Sequence, residues 1–97
     1  MRYSLVFSPE AIEDLRRLKA SHRSAVKQAI ETHLRHDPMK ESRSRIKRLR
    51  GVSRPGYRLR VGEVRVFYDV SEGTVEILAI ISKSEAVSWL QSIQESP

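Results

Sequence analysis

Polar and apolar residues alternate through the segment Arg54 to Val70, R-P-G-Y-R-L-R-V-G-E-V-R-V-F-Y-D-V. Tyr57, Leu59 and Val61 fall on one side of an extended chain and Arg58 and Arg60 on the other. Val64, Val66 and Tyr68 then alternate with Arg65 and Phe67. That period of two predicts two β-strands, and Gly62-Glu63 between them has the Gly-X form of a type II′ hairpin turn. The turn sets the register: Val61 faces Val64, Leu59 faces Val66 and Tyr57 faces Tyr68, while Arg60 lies opposite Arg65 and Arg58 beside Phe67. One face is therefore a core layer, and the other carries three guanidiniums.

The flanking patterns supply the other elements. Tyr3 to Phe7 reads as a short strand. Ser8-Pro9-Glu10 opens a helix with a cap, a proline at the first helical position and an acid in the first turn, and the helix runs to about Lys19 on a stripe of Ile12, Leu15 and Leu18. A break near Ser21-His22 leads to a second helix, Arg23 to Arg35, with Val26, Ala29, Ile30 and Leu34 inward; Asp37-Pro38 ends it. Lys40 to Arg50 reads as a basic loop pinned at Ile46 and Leu49. After a turn at Ser71-Glu72-Gly73, Thr74 to Ser82 predicts a central strand, with Val75, Ile77, Ala79 and Ile81 on one face and Leu78 and Ile80 on the other. Lys83 to about Gln94 forms a last helix, capped by Ser82 with Glu85 at capping-box spacing; Ala86, Leu90 and Ile93 line it, with Trp89 beside them. The order β-α-α-β-β-β-α predicts one α+β domain over residues 1–97, with an N-terminal strand and helical hairpin on a mainly antiparallel sheet and a short C-terminal helix.

Charge changes the picture. In 97 residues, 18 Lys and Arg against 12 Asp and Glu leave a net charge of +6 and a pI near 10.2, which points to an anionic partner, nucleic acid or acidic protein. The absence of cysteine excludes a disulfide framework, thiolate metal sites and thiol nucleophiles. There is no signal-peptide pattern and no apolar run near the roughly 18 residues of a membrane span, so a cytoplasmic protein is expected.

Like charges placed directly across a strand pair are destabilising, so Arg60 opposite Arg65 needs a reason. Screened charge on a solvated face is one. An anion site is the other, because guanidiniums grip phosphate in bidentate fashion. His22, His33 and His36 have no partners at metal-ligand spacing, no nucleophile elbow or Gly-rich phosphate loop occurs, and Asp69, Glu72 and Glu76 read as strand-end and turn residues. No metal or cofactor is expected. The cationic set Arg58, Arg60, Arg65 and Lys83 suits either passive RNA binding or metal-independent cleavage, in which the RNA 2′-hydroxyl attacks the neighbouring phosphate. Clustered cations lower one another's pKa, which makes Lys83 the proton-transfer candidate.

The motifs F-S-P-E-A, K-R-L-R-G at 47–51, Y-R-L-R-V-G-E-V-R-V-F-Y-D-V at 57–70 and V-E-I-L-A-I-I-S-K at 75–83 together resemble the RelE/ParE superfamily of bacterial toxin–antitoxin toxins. The resemblance implies a toxin silenced by an acidic antitoxin. In the RelE branch it further implies an enzyme that enters the ribosome and cuts messenger RNA without a metal. Arg58 and Arg60 are similar to the family's basic pair, Arg65 to the arginine that braces the scissile phosphate, and Lys83 to the basic residue after the last strand. Arg45, Lys47, Arg48, Arg50 and Arg54, with Phe67, extend the expected nucleic-acid surface. The chain departs from the RelE pattern where a further arginine and a base-stacking tyrosine are expected: Ala86 and Leu90 stand there, with Trp89 the nearest aromatic. A ParE-like gyrase poison and a weakened toxin serving as an antitoxin-binding co-repressor are the alternatives.

Overall fold

The computed structural model describes residues 2–95, leaving Met1, Ser96 and Pro97 outside. Its elements are β1 (Ser4–Phe7), α1 (Pro9–Arg17), α2 (Ala20–Leu34), β2 (Ile46–Arg48), β3 (Tyr57–Val61), β4 (Val64–Ser71), β5 (Thr74–Ser82) and α3 (Lys83–Glu95). The strands form one sheet in the order β1-β5-β4-β3-β2, antiparallel except where β1 pairs parallel with β5 at one edge. The β3–β4 register is the expected one at all five pairs. Gly62 turns at φ +58 while no other residue type among those described has a positive φ, as a type II′ turn requires.

Leu59, Val66 and Tyr68 are fully buried with Val75, Ile77 and Ile80 under Ala11, Val26, Ile30 and Leu34 of α1 and α2. Tyr57 and Tyr68 stack across the strands at 5.6 Å, and the Tyr68 hydroxyl donates to the Pro38 carbonyl at 2.6 Å. α1 presents Ala11, not Ile12, to this core; Ile12 is 42% exposed. The rotation also turns Asp14 towards β5, where its Oδ2 accepts the Ile80 N–H at 3.0 Å, just beyond the end of β1.

Three expectations need correction. The break between the helices lies at Leu18 and Lys19, both extended, so Ser21 and His22 belong to α2. Neither glycine nor proline marks it. Instead the Arg23 guanidinium donates to the carbonyls of Leu15, Arg16 and Leu18, satisfying the end of α1 from the next helix. The basic 40–50 segment is also not all loop, because Ile46–Arg48 forms the edge strand β2 against β3. Ser42 donates its N–H to the Ile46 carbonyl and accepts the Ile46 N–H on Oγ, while Glu41 Oε1 accepts the Arg48 N–H, so the strand's outer backbone groups are closed by its own preceding loop. Finally, the register of β5 shifts: Phe67 pairs with Ala79 but Tyr68 with Ile77, leaving Leu78 as an extra residue. The bulge swaps faces, so Val75, Ile77 and Ile80 share the helical-hairpin core, and Ala79 and Ile81 lie on the other face with Phe67 and Arg65.

α3 covers part of that second face. Trp89 stacks on Phe67 at 4.9 Å and 20°, Ala86, Leu90 and Ile93 are half-buried, and Gln94 Nε2 donates to the Arg54 carbonyl at 2.9 Å. At its start the Ser82 hydroxyl donates to Glu85 Oε1 at 2.8 Å rather than accepting a backbone N–H in the expected box. No helix among the described residues is long and apolar enough to cross a membrane.

Candidate nucleic-acid interface

The second sheet face is ordered in rows across the strands. One row runs Lys47, Arg58, Phe67, Ala79 from β2 to β5; the next, nearer the Gly62–Glu63 turn, runs Arg60, Arg65, Ile81. α3 lies over the apolar β4–β5 end of the first row through the Phe67–Trp89 stack. The β2–β3 end is left with Lys47 and Arg60 exposed and Arg58 half-buried.

Arg58 is the least comfortable residue of the face. Its Nε is buried with no hydrogen-bond partner. Burial lowers the pKa of its guanidinium from the ordinary arginine value, and the neighbouring charges of Arg65 and then Arg60 lower it further. A buried nitrogen without a hydrogen bond, on a half-buried guanidinium beside two like charges, is unfavourable unless an anion meets the open part of the group.

Arg65 differs from its expected outward pose. It is only 7% exposed, and its Nη1 donates to the carbonyls of Gly62 at 2.8 Å and Val64 at 3.1 Å, so it fastens the hairpin turn. The physical reason is local: the guanidinium lies beside the tight turn, within reach of the Gly62 and Val64 carbonyls, and a carbonyl oxygen has two lone pairs to offer. Lys83 is exposed at the first position of α3, and its backbone N–H is bonded to the Glu63 carbonyl at 2.7 Å, which places it at the same turn.

The wider basic set is sorted by β2. Lys47 sits opposite Arg58, on the arginine face. Arg48 sits opposite Tyr57 and so belongs to the other face. Arg45 lines a cleft of about 200 Å³ with His33, Asp37, Lys40 and Glu41, and its charge adds to burial in lowering the His33 pKa. Arg50 is exposed in the loop beyond β2. Arg54 is bound at both ends of its guanidinium, to Asp69 at 2.7 Å and Glu76 at 2.6 Å, while Asp69 also accepts the Gly56 N–H; this arginine neutralises the acidic end of the face. Phe67, 1% exposed beneath Trp89, is a packing residue and offers no stacking surface. The facial position of Lys47 escaped the sequence reading, and the single signal for it was the apolar Ile46 set between two basic residues. Among the described residues no group of three or more His, Asp or Glu is arranged to hold a metal ion.

The chain is a five-stranded sheet with a helical hairpin on one face and a basic, partly covered opposite face, and this architecture recurs in solved structures. The RelBE2 toxin–antitoxin complex from Mycobacterium tuberculosis aligns at 25% identity with TM-score 0.72 over 84% of this chain and 99% of that one. An E. coli RelE double mutant in the free state aligns at 23% identity and TM-score 0.71, over 97% and 95% of the two chains. The YoeB dimer from Staphylococcus aureus aligns at 21% and 0.63, over 84% and 97%. The family model of the ParE toxin of the type II toxin–antitoxin system, parDE, matches residues 5–87, and the chain belongs to that family as a toxin of the RelE/ParE superfamily. Curated protein sequences contain no match.

Proposed function

We propose that this toxin is a metal-independent, ribosome-dependent messenger-RNA endonuclease that stops translation in the cytoplasm and is held inactive by a cognate acidic antitoxin. The observation that carries the reading is Arg58, with its buried, unpartnered Nε and with Arg60 and Arg65 as neighbours. A phosphate entering from the open side meets the exposed part of this half-buried guanidinium, supplies the missing counter-charge and relieves the mutual repulsion. In the reaction the 2′-oxygen attacks the adjacent phosphorus, the bond from phosphorus to the 5′-oxygen breaks, and a 2′,3′-cyclic phosphate and a free 5′-hydroxyl result. The 2′-hydroxyl gives its proton to solvent water at this open site, and the leaving oxygen takes one from the Lys83 ammonium, which solvent then reprotonates. Arg58 and Arg60 oppose the charge that builds on the non-bridging oxygens, Arg65 holds the turn that carries them, and Lys83 at that turn supplies the proton to the leaving oxygen.

The matching family model is that of the ParE toxin, and Ala86 and Leu90 stand where the RelE pattern has arginine and tyrosine. These two observations favour a second reading, a gyrase inhibitor on the same fold, and the second of them also fits a weakened toxin that acts as an antitoxin-binding co-repressor. Expression of wild type and Arg60→Ala, with translation rates measured and message ends mapped, separates the three. Arrest with cut messages, lost in Arg60→Ala, supports the nuclease. Intact messages with blocked replication support gyrase, and no toxicity from folded protein supports the co-repressor.

A further inference from the structure

We propose, resting on the RNA reading above, that the RNA strand leaves the Arg58–Arg60 centre across β2 and that Lys47 holds a backbone phosphate on that path. Three observations fix the direction. The β4–β5 side of the face is closed, because Trp89 stacks on Phe67 and α3 lies across it as far as its Gln94 bond to Arg54. The far end of the face sets two carboxylates, Asp69 opposite Glu76, against the single guanidinium of Arg54, which both of them engage, so it offers a phosphate chain no free cation. Apart from the turn end, where Arg60 and Lys83 stand exposed, the open way runs from Arg58 to its cross-strand partner Lys47, one strand spacing of about 4.8 Å away. Lys47 is exposed and makes no ion pair among the described residues.

The strand beneath Lys47 is held in place, which a casual basic loop would not be. Ser42 and Glu41 bond the outward backbone groups of Ile46 and Arg48, and Ile46 is anchored in the core. Lys47 is therefore presented at a fixed register, and a fixed cation loses less freedom on meeting a phosphate than one on a mobile loop. The neighbouring Arg48 has the same charge and is also exposed, but it stands on the opposite face, so the chain contains its own control.

Purified toxin and a short fluorescent oligouridylate, followed by anisotropy across a salt series, provide the test. Each phosphate contact to a single strand contributes about 0.7 to the slope of log affinity against log salt. Lys47→Gln is expected to reduce the slope by about 0.7 and weaken binding several-fold, while Arg48→Gln changes neither. Equal slopes for Lys47→Gln and wild type, or an equal drop in Arg48→Gln, would overturn the path. A wild type without salt-dependent binding would overturn the RNA reading itself, a result distinct from failure of the path alone.

Discussion

Residues one position apart on the β3–β4 hairpin live under opposite rules. Leu59, Val66 and Tyr68 are sealed beneath the helical hairpin, with stacked rings and a satisfied hydroxyl. Arg58 and Arg60, between and beside them, face the other way, and there the chain accepts an unpaired Nε and like charges across a strand pair. Close packing and complete hydrogen bonding on one face hold the strands firmly enough for the other to carry an arrangement that is unfavourable alone. The fold is stabilised on one side and left unfinished on the other. Arg65 crosses that division, since it lies on the charged face yet serves the turn.

Truncation on the packed face should have the largest effect on stability. Leu59→Ala is expected to cost about 2–5 kcal/mol by denaturant unfolding, against about 0.5 kcal/mol or less for the exposed Arg60→Ala, which should lose toxicity instead. Arg65→Ala sharpens the comparison. It strips the Gly62 and Val64 carbonyls of a charged donor, so a loss of about 1–3 kcal/mol is expected together with any loss of activity, and an unchanged unfolding midpoint would return Arg65 to a purely catalytic role. Next comes Tyr68, whose hydroxyl is held neutral far above the ordinary tyrosine pKa, chiefly by burial and then by Tyr57. A raised acid pKa leaves its stabilisation whole below the unfolded value of about 10 and removes it as the pH climbs further. Tyr68→Phe should lose about 1 kcal/mol at neutral pH with the Pro38 hydrogen bond, and its stability should fall less than that of wild type as the pH rises above about 10.

The hairpin was legible in the sequence because its period of two, its Gly62 turn and its cross-strand pairs all depend on local residues. The helical-hairpin layer and the last helix were legible for the same reason, whereas the stacking of Trp89 on Phe67 was not. Features set by distant partners were not. The α1–α2 break depends on Arg23 reaching back to three carbonyls, β2 on Ser42 and Glu41 closing its edge, and the β5 bulge on where Ser8 and Asp14 meet the strand: Ser8 Oγ donates to the Leu78 carbonyl at 3.1 Å, beside the Ile80 N–H that Asp14 accepts. At the site, alternation gave the face of Arg58, Arg60 and Arg65 but not the direction each takes along that face, and it gave nothing for Arg48, which lies on the opposite one. For that reason the inward turn of Arg65 and the engagement of Arg54 by two carboxylates appear only in three dimensions.

The most direct test of the claim that Arg58 is kept for a phosphate rather than for the fold is the melting temperature of Arg58→Met, measured beside the toxicity of the same protein. Removing a half-buried guanidinium that has an unbonded Nε and two like-charged neighbours, while keeping its apolar stem, should hold the melting temperature or raise it by a few degrees, at about 4–8 °C per kcal/mol for a domain of this size, and should abolish message cutting. A fall of several degrees, or messages still cut at the wild-type rate, would contradict it.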